Sequence, residues 1–207
     1  MPPRRKPQVE PRKTPRQARS RDTVEVICTA AARVLDEGGL VAVTTNRVAE
    51  RAGVSIGSLY EYFPNRDALL IALTRRMIAE DGARVRAALL ACIDAPPLEV
   101  VRGLVRAVLA LHREKPARRR ALLEVYLSRG LNDEEMLFTS DLIDWVRGNE
   151  AAVPLVTHLT PTAWYALTRT VLGGVRLAFW ERNPLLHEQA FEDELVTLVL
   201  SFLAARR

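Results

Sequence analysis

The side chains best suited to chemistry in this sequence are hydroxyl and aromatic residues grouped near position 60. Ser55 precedes a short segment, Ile56–Phe63, whose helical periodicity places small, hydroxylic or aromatic residues on one outward face: Gly57, Ser58, Tyr60 and Tyr62. A short helix of this kind can enter the major groove of DNA and touch phosphates and base edges. The pattern therefore indicates a nucleic-acid contact surface.

The residues around this segment have the spacing of a helix-turn-helix. Ala49 lets two helices cross closely, Gly53 suits a left-handed turn in which a Cβ costs energy, and Leu59 packs back on the first helix. Ser55 can cap the second helix by accepting a hydrogen bond from a free backbone amide. By spacing alone, an ordinary helical hairpin in an all-α core fits as well as a DNA-binding one.

The wider sequence is more specific than the spacing. The informative residues run from Thr44 to Leu69: Thr44-Thr45, Val48-Ala49, Ala52-Gly53-Val54-Ser55, Gly57, Leu59-Tyr60, Tyr62-Phe63, Arg66 and Leu69. Together they resemble the tetracycline-repressor (TetR) family of bacterial regulators, over roughly Val24–Leu73. The resemblance implies an all-α fold, with an N-terminal three-helix DNA-binding domain and a C-terminal helical domain for ligand binding and dimerisation. It also implies a transcriptional regulator, usually a repressor that a small ligand releases from a palindromic operator in double-stranded DNA.

The resemblance also implies which residues contact DNA. Thr45, Tyr62 and Arg66 match positions that hold phosphates, while Ser58 and Tyr60 match positions that face base edges. The full expected set is Thr45, Asn46, Arg47, Ser55, Gly57, Ser58, Tyr60, Tyr62 and Arg66.

Four of these positions carry a further expectation. Arg66 stands where the family usually has lysine, in the first turn of a predicted helix, where a cation opposes the helix dipole. We therefore expect a phosphate in front of it. Gly57 is expected to allow close backbone approach to the bases. Asn46 and Arg47 match variable family positions and are expected to add specificity.

Catalytic and metal-binding patterns are not evident in the sequence. His112, His158 and His187 have no partners at ligand spacing, and Cys28 and Cys92 form no paired motif. We therefore expect no enzyme activity, no metal and no cofactor. Two rival functions stay open: a DNA-binding protein controlled by a protein partner, and a helical-bundle enzyme or carrier whose titratable groups meet only in the fold.

Positive charge is concentrated at the start of the chain. Eight of the 30 Lys and Arg residues precede residue 22, with one of the 25 acidic residues, and the whole chain carries +5. We expect residues 1–18 to form a disordered basic arm, which is either a phosphate contact or a solvated tail. No signal peptide or long apolar run is visible, so a cytoplasmic protein without a membrane partner is expected.

Helical periodicity and its breaks predict about nine helices in all. The expected domains are a DNA-binding domain over 19–65 and a ligand-binding and dimerisation domain over 66–207. The first helix is predicted over about 19–37, the seventh over about 133–147 and the last over about 187–205. The run Arg118–Arg120 is predicted to be a solvated face rather than a second nucleic-acid patch.

The family resemblance implies a small-molecule pocket in the C-terminal domain. We expect a small apolar or amphipathic ligand, because aromatic and methionine side chains can line such a pocket. For each candidate taken alone, plain core packing is favoured over ligand contact. The candidates are Met77, Leu104, Val108, His112, Tyr126, Phe138, Trp145 and Trp164.

Two helical stripes near the C-terminus predict a homodimer interface. Their apolar or small residues recur at intervals of three and four, as in helices that pack side by side. A four-helix bundle formed by two subunits would use both stripes, although packing on the subunit's own core fits the same pattern. The stripes are Leu167, Val171, Gly174 and Ala178, and Phe191, Leu195, Leu198 and Phe202.

Overall fold

The computed structural model describes residues 18–131, 145 and 158–206, with side chains from residue 22 onwards. The regular elements in these ranges are all helical, which confirms the all-α class. They are α1 (Ala18–Ala42), α2 (Thr45–Ala52), α3 (Ile56–Tyr62), α4 (Arg66–Ala91), α5 (Pro97–Arg113), α6 (Pro116–Ser128), α7 (Pro161–Trp180), a 3-10 turn (Pro184–His187) and α8 (Gln189–Ala204). The expected arm up to residue 17 and the helix predicted over 133–147, apart from Trp145, lie outside the described residues.

Local capping residues set the ends of α2 and α3. The hydroxyl oxygen of Thr44 accepts a hydrogen bond from the amide of Arg47 at 3.2 Å. Gly53 ends α2 in the left-handed conformation, with φ 66° and ψ 29°. The hydroxyl oxygen of Ser55 then accepts from the amide of Ser58 at 3.0 Å and starts α3. The glycine turn and the serine cap are therefore confirmed.

Helix α1 continues past its predicted end at Glu37. Gly39 has non-helical angles, φ 66° and ψ −171°, and a further helical turn follows it up to Ala42. A Cβ on Gly38 would lie 2.5 Å from the Cβ of Ala42, so this bend needs a residue without a side chain at position 38. The two glycines therefore bend the helix instead of ending it.

The chain forms two compact units, and the first includes residues from both halves of the sequence. It takes the described residues up to Met77 and those from Ala117 to the end of α6. Leu122 on α6 is fully buried in its core, and the hydroxyl of Thr74 donates to the Leu122 carbonyl at 3.4 Å. The boundary expected between residues 65 and 66 thus differs from the structure, since the start of α4 and all of α6 pack with the helix-turn-helix.

Arginines of α6 are used to hold that helix in the first unit. The guanidinium of Arg118 bonds both carboxylate oxygens of Asp36 on α1, with an Nε–Oδ1 distance of 2.6 Å. Arg119 is buried, and Arg129 pairs with Asp67 at the start of α4. The prediction of a solvated face over Arg118–Arg120 is therefore wrong for Arg118 and Arg119, because one is committed to an ion pair and the other is packed inside.

The second unit contains Ile78–Pro116, Trp145 and the described residues from 158 onwards. Within this unit, two arginines of α5 connect that helix to α8. Arg102 pairs with Asp193 and lies 3.2 Å from a carboxylate oxygen of Glu192, and Arg106 donates to the same oxygen at 2.7 Å. None of the helices in the described ranges combines the length and the apolar character needed to cross a membrane.

Glu192 is the buried member of this ion cluster. Its side chain is 3% exposed, and this burial acts to raise the pKa of its carboxyl. Hydrogen bonds from Gln189, Arg102 and Arg106 outweigh the burial and hold that pKa below its usual value. Hydrogen bonding to Arg102 lowers the pKa of Asp193 as well.

The lowered pKa values make the stability of the second unit depend on acid. A carboxyl with a depressed folded-state pKa stabilises the fold above its ordinary pKa, and that contribution is lost as the pH falls through the folded-state pKa. Glu192→Gln should therefore lower the free energy of unfolding by about 1–2 kcal/mol at pH 7, less than for a fully buried pair because Arg106 is exposed. The difference from wild type should shrink towards zero below pH ~4. Urea unfolding across this pH range measures it.

The exposed Glu124, in the middle of α6, provides a control. Glu124→Gln should change stability little at any pH. An equal loss in both variants, or a loss for Glu192→Gln that does not decrease as the pH falls below the ordinary pKa of a glutamate, would contradict the assignment.

Candidate nucleic-acid interface

The helix-turn-helix buries one face and leaves the other in solvent. Val48, Ala49 and Leu59 are buried in the core of the first unit. The expected DNA-contact residues are exposed or half-buried. Asn46, Arg47, Ser55, Gly57 and Tyr60 are exposed, while Thr45, Ser58, Tyr62 and Arg66 are half-buried.

Two of these side chains meet through their hydroxyl groups. The hydroxyl of Thr45, at the start of α2, lies 3.1 Å from the hydroxyl of Tyr60 on α3. Two hydroxyls this close present themselves to the same neighbour, because each still has hydrogen-bonding capacity. The separate roles predicted for them, phosphate for Thr45 and base edge for Tyr60, stay a prediction, since the distance shows only that the two hydroxyls lie side by side.

The serines at the start of α3 are partly occupied by the helix cap. Besides accepting from the amide of Ser58, the hydroxyl of Ser55 lies 2.8 Å from the hydroxyl of Ser58. Gly57, between them, has open space where a Cβ would point, with only the Ser55 hydroxyl at an ordinary 3.7 Å. The fold therefore makes no demand for glycine at position 57.

Arg66 is the position where the structure corrects the sequence argument. Its Nε donates to the Val43 carbonyl at 2.7 Å, and its Nη2 donates to the Leu40 carbonyl. The guanidinium is thus engaged by backbone inside the first unit. The unfavourable position at the start of α4 is thus offset by carbonyl groups of the α1–α2 connection and needs no phosphate. The phosphate contact of Arg66 itself stays a prediction.

Charge on the described face is mixed. Arg47 is exposed beside Asn46, whereas Arg51 is paired with Glu37. The eight basic residues before residue 22 lie outside the described side chains. Within the described residues, no three His, Cys, Asp or Glu side chains gather as ligands for a metal ion.

The candidate pocket residues fall into both units. Met77 and Tyr126 belong to the first unit, where Tyr126 is fully buried. Leu104, Trp145 and Trp164 pack around buried Leu89 and Val100 in the second unit. Val108 and His112 also lie in the second unit, and Phe138 lies outside the described residues. Met77 and Tyr126 therefore fall in a different unit from the other described candidates, because sequence periodicity does not reveal which unit a helix joins, and the pocket stays a prediction.

His112 makes its described contacts within the second unit. Its Nδ1 lies 3.0 Å from the Val108 carbonyl, one turn back on α5. Its ring meets the edge of Phe179 on α7, with centroids 5.3 Å apart.

The expected dimer residues are split between buried and open positions. Leu167, Ala178 and Leu195 are already buried, and Leu198 is 42% exposed. Gly174 is exposed, and the other three, Val171, Phe191 and Phe202, are half-buried.

A groove of about 580 Å³ lies between α7 and α8 on this face. Its lining includes Leu167, Leu195, Leu198 and Phe202, together with Thr170, Glu194, Thr197 and Ser201. The large exposed side chains of α7 are Tyr165 and Leu177, which the sequence argument missed. Leu177 shares its helix face with exposed Ala166, Thr170 and Gly173, whereas Tyr165 lies beside that face, so the periodicity of the sequence does not single out the pair.

Comparison with known proteins gives matches over two successive parts of the chain. Residues 27–73 match the family described as "Bacterial regulatory proteins, tetR family", and residues 96–203 match "Tetracyclin repressor-like, C-terminal domain". The second match alone covers more than half of the chain. The chain therefore belongs to the TetR family of bacterial regulatory proteins, as the residues around Gly53 predicted.

Individual relatives agree with this assignment. The transcriptional repressor KstR of Mycolicibacterium smegmatis is 44% identical over 64 residues, which are 30% of this chain and 31% of KstR. The transcriptional regulator BetI of Burkholderia mallei is 37% identical over 81 residues, 39% of each protein. The chain thus matches 31% of the length of KstR and 39% of the length of BetI.

Solved structures match over a longer range. The multidrug binding protein EbrR, complexed with imidazole, is 25% identical with a TM-score of 0.57. The match covers 84% of this chain and 92% of EbrR.

The two glycines of the helix-turn-helix should respond oppositely to alanine. Gly53→Ala should lower the free energy of unfolding by about 1–2 kcal/mol, because the left-handed conformation is costly with a Cβ. Gly57→Ala should raise it by about 0.5–1 kcal/mol, because alanine is the better helix former and has room. Urea unfolding of the two variants measures both changes. A destabilised Gly57→Ala protein would contradict the open geometry at position 57.

Proposed function

We propose that this protein is a transcriptional regulator that binds a specific DNA operator as a homodimer and is released by a small ligand. The observation that carries the proposal is the exposed face of α2 and α3, in a chain that belongs to the TetR family. KstR and the Tet repressor, each similar to a part of this chain, are named as repressors, which favours repression over activation. Such a regulator acts where the chromosome is, in the bacterial cytoplasm.

Helix α3 acts as the recognition helix in this proposal. Gly57 lets its backbone approach the major groove, and Ser58 faces base edges. Asn46 and Arg47, exposed at the start of α2, add contacts to either phosphates or bases. The hydroxyl pair of Thr45 and Tyr60 holds one phosphate, which fixes the register of the helix without reading sequence.

Dimerisation supplies the second recognition helix. The open groove between α7 and α8, with Leu198 and Phe202 along it, is the surface that a second copy would cover. A twofold pair would place its recognition helices in successive major grooves, about 34–36 Å apart, on a near-palindromic site. This is why both the operator and the dimer belong to one hypothesis.

A small ligand is the favoured effector. EbrR, which this chain resembles along most of its length, is named as a multidrug binding protein. The aromatic residues around Leu89 and Val100 in the second unit, Trp145 and Trp164, are the candidates for a ligand contact there. A ligand shifts the balance between bound and free protein only by its different affinity for the two states.

Selection from random DNA tests the operator. The wild-type chain should enrich one near-palindromic sequence and bind it at least ~10³-fold more tightly than unrelated DNA at physiological salt. Sedimentation of the complex should give two chains per site. If no sequence is enriched, the operator hypothesis fails. If a single chain binds a half-site, the dimer hypothesis fails.

Deleting the hydroxyls tests the shared phosphate. Tyr60→Phe and Thr45→Val should each weaken DNA binding by roughly tenfold, and the double variant should lose less than the product, because both hydroxyls serve one group. The loss should be equal on operator and unrelated DNA, since phosphate contacts carry no sequence information. Fluorescence anisotropy measures both affinities, with Tyr165→Phe on α7 as the control. A loss confined to the operator would instead assign Tyr60 to a base edge.

A further inference from the structure

The first residue of α4 reaches back to the beginning of the helix-turn-helix. One guanidinium, that of Arg66, donates from Nε to the Val43 carbonyl at 2.7 Å and from Nη2 to the Leu40 carbonyl. These atoms are half-buried, and the two residues joined are 23 positions apart in the chain. The contact thus closes a loop that contains all of α2 and α3.

The carbonyls that Arg66 binds belong to the bent end of α1. Gly39 interrupts the helix with φ 66°, and the Val43 amide donates to the Leu40 carbonyl at 3.2 Å. The Leu40 carbonyl therefore accepts from both the Val43 amide and Arg66, as its two lone pairs allow, and carbonyls at a helix end carry a partial negative charge. A guanidinium is suited to it because its planar fork offers several donors in fixed directions.

The same turn of α4 also holds the far end of the hairpin. Phe63, at the end of α3, is 1% exposed, and the Asn65 side chain caps α4 by accepting from the amide of Ala68 at 2.8 Å. Val43, which precedes the Thr44 cap of α2, is fully buried. The start of α2 and the end of α3 are therefore both fixed at one point.

We propose that Arg66 is a positioning residue for DNA recognition: its two carbonyl contacts close the helix-turn-helix on the first turn of α4 and set the direction of the recognition helix. It is not itself a phosphate ligand. This role rests on the proposed DNA-binding function and deepens it. Lysine, with a single ammonium group, keeps the charge but loses the fork that reaches both carbonyls.

The lysine variant separates the two roles. A phosphate ligand would be rescued by Arg66→Lys, and Arg66→Gln would reduce the slope of log K against log salt by about 0.9, the share of one phosphate contact. A positioning residue is not rescued by charge. We expect Arg66→Lys and Arg66→Gln both to bind about tenfold more weakly, the effect of one lost charged hydrogen bond, with the salt slope of wild type.

The experiment uses the full chain and the duplex that the wild-type protein selects from random DNA. Affinity is measured at several salt concentrations, after cooperative thermal unfolding has shown that each variant is folded. Hydrogen exchange of the free protein is followed in the segment 40–44, where Arg66→Lys and Arg66→Gln should both exchange faster than wild type. Arg51→Lys is the matched control, because Arg51 also joins α2 to α1 but through an exposed single ion pair with Glu37. It should bind within about twofold of wild type.

Three outcomes would overturn the proposal. Wild-type affinity for Arg66→Lys with a reduced slope for Arg66→Gln would make Arg66 a phosphate ligand. Weaker binding with unchanged exchange in 40–44 would place its effect elsewhere. If the wild-type chain selects no sequence, the proposed function fails, and that result is distinct because it appears before any variant is tested; the positioning role then falls with it.

Discussion

Burial of a single face of the helix-turn-helix is the constraint on which the rest depends. Val48, Ala49 and Leu59 are packed into the first unit's core, and among the described residues the opposite side of α2 and α3 stays in solvent. The short helix α3 has only seven residues and cannot be stable alone. Its outward side chains are therefore available to a partner only because its inward ones are held.

Several polar side chains of this region make hydrogen bonds that hold the helix-turn-helix itself. The hydroxyls of Thr44 and Ser55 satisfy free amides at two helix starts, and the guanidinium of Arg66 satisfies carbonyls near the end of α1. Fewer polar side chains are therefore left for DNA contacts than the residue types alone suggest. DNA affinity would then depend on few direct contacts of the folded module. The salt dependence of binding would test whether the basic residues before position 22 add phosphate contacts.

The sequence was informative where local chemistry decides the structure. Gly53 and Ser55 were placed correctly because a left-handed turn and a helix cap depend on neighbouring residues alone. It was misleading where distant residues decide. Nothing near Arg66 reveals that the Leu40 and Val43 carbonyls lie within reach, and nothing in α6 reveals that Leu122 packs with the first three helices. The same limit separated Met77 and Tyr126 from the other pocket candidates.

Helix α6 also has a consequence for how this regulator can be divided. The chain leaves the first unit after Met77 and re-enters it at Ala117, so the two units are interleaved in sequence. Cutting or truncating the chain between Met77 and Ala117 would remove α6, with its buried Leu122, from the core of the first unit. A chimaera that exchanges the second unit between regulators of this family would have to keep α6 with the first unit. The exchanged part is then two separate segments of the chain and not one continuous C-terminal segment.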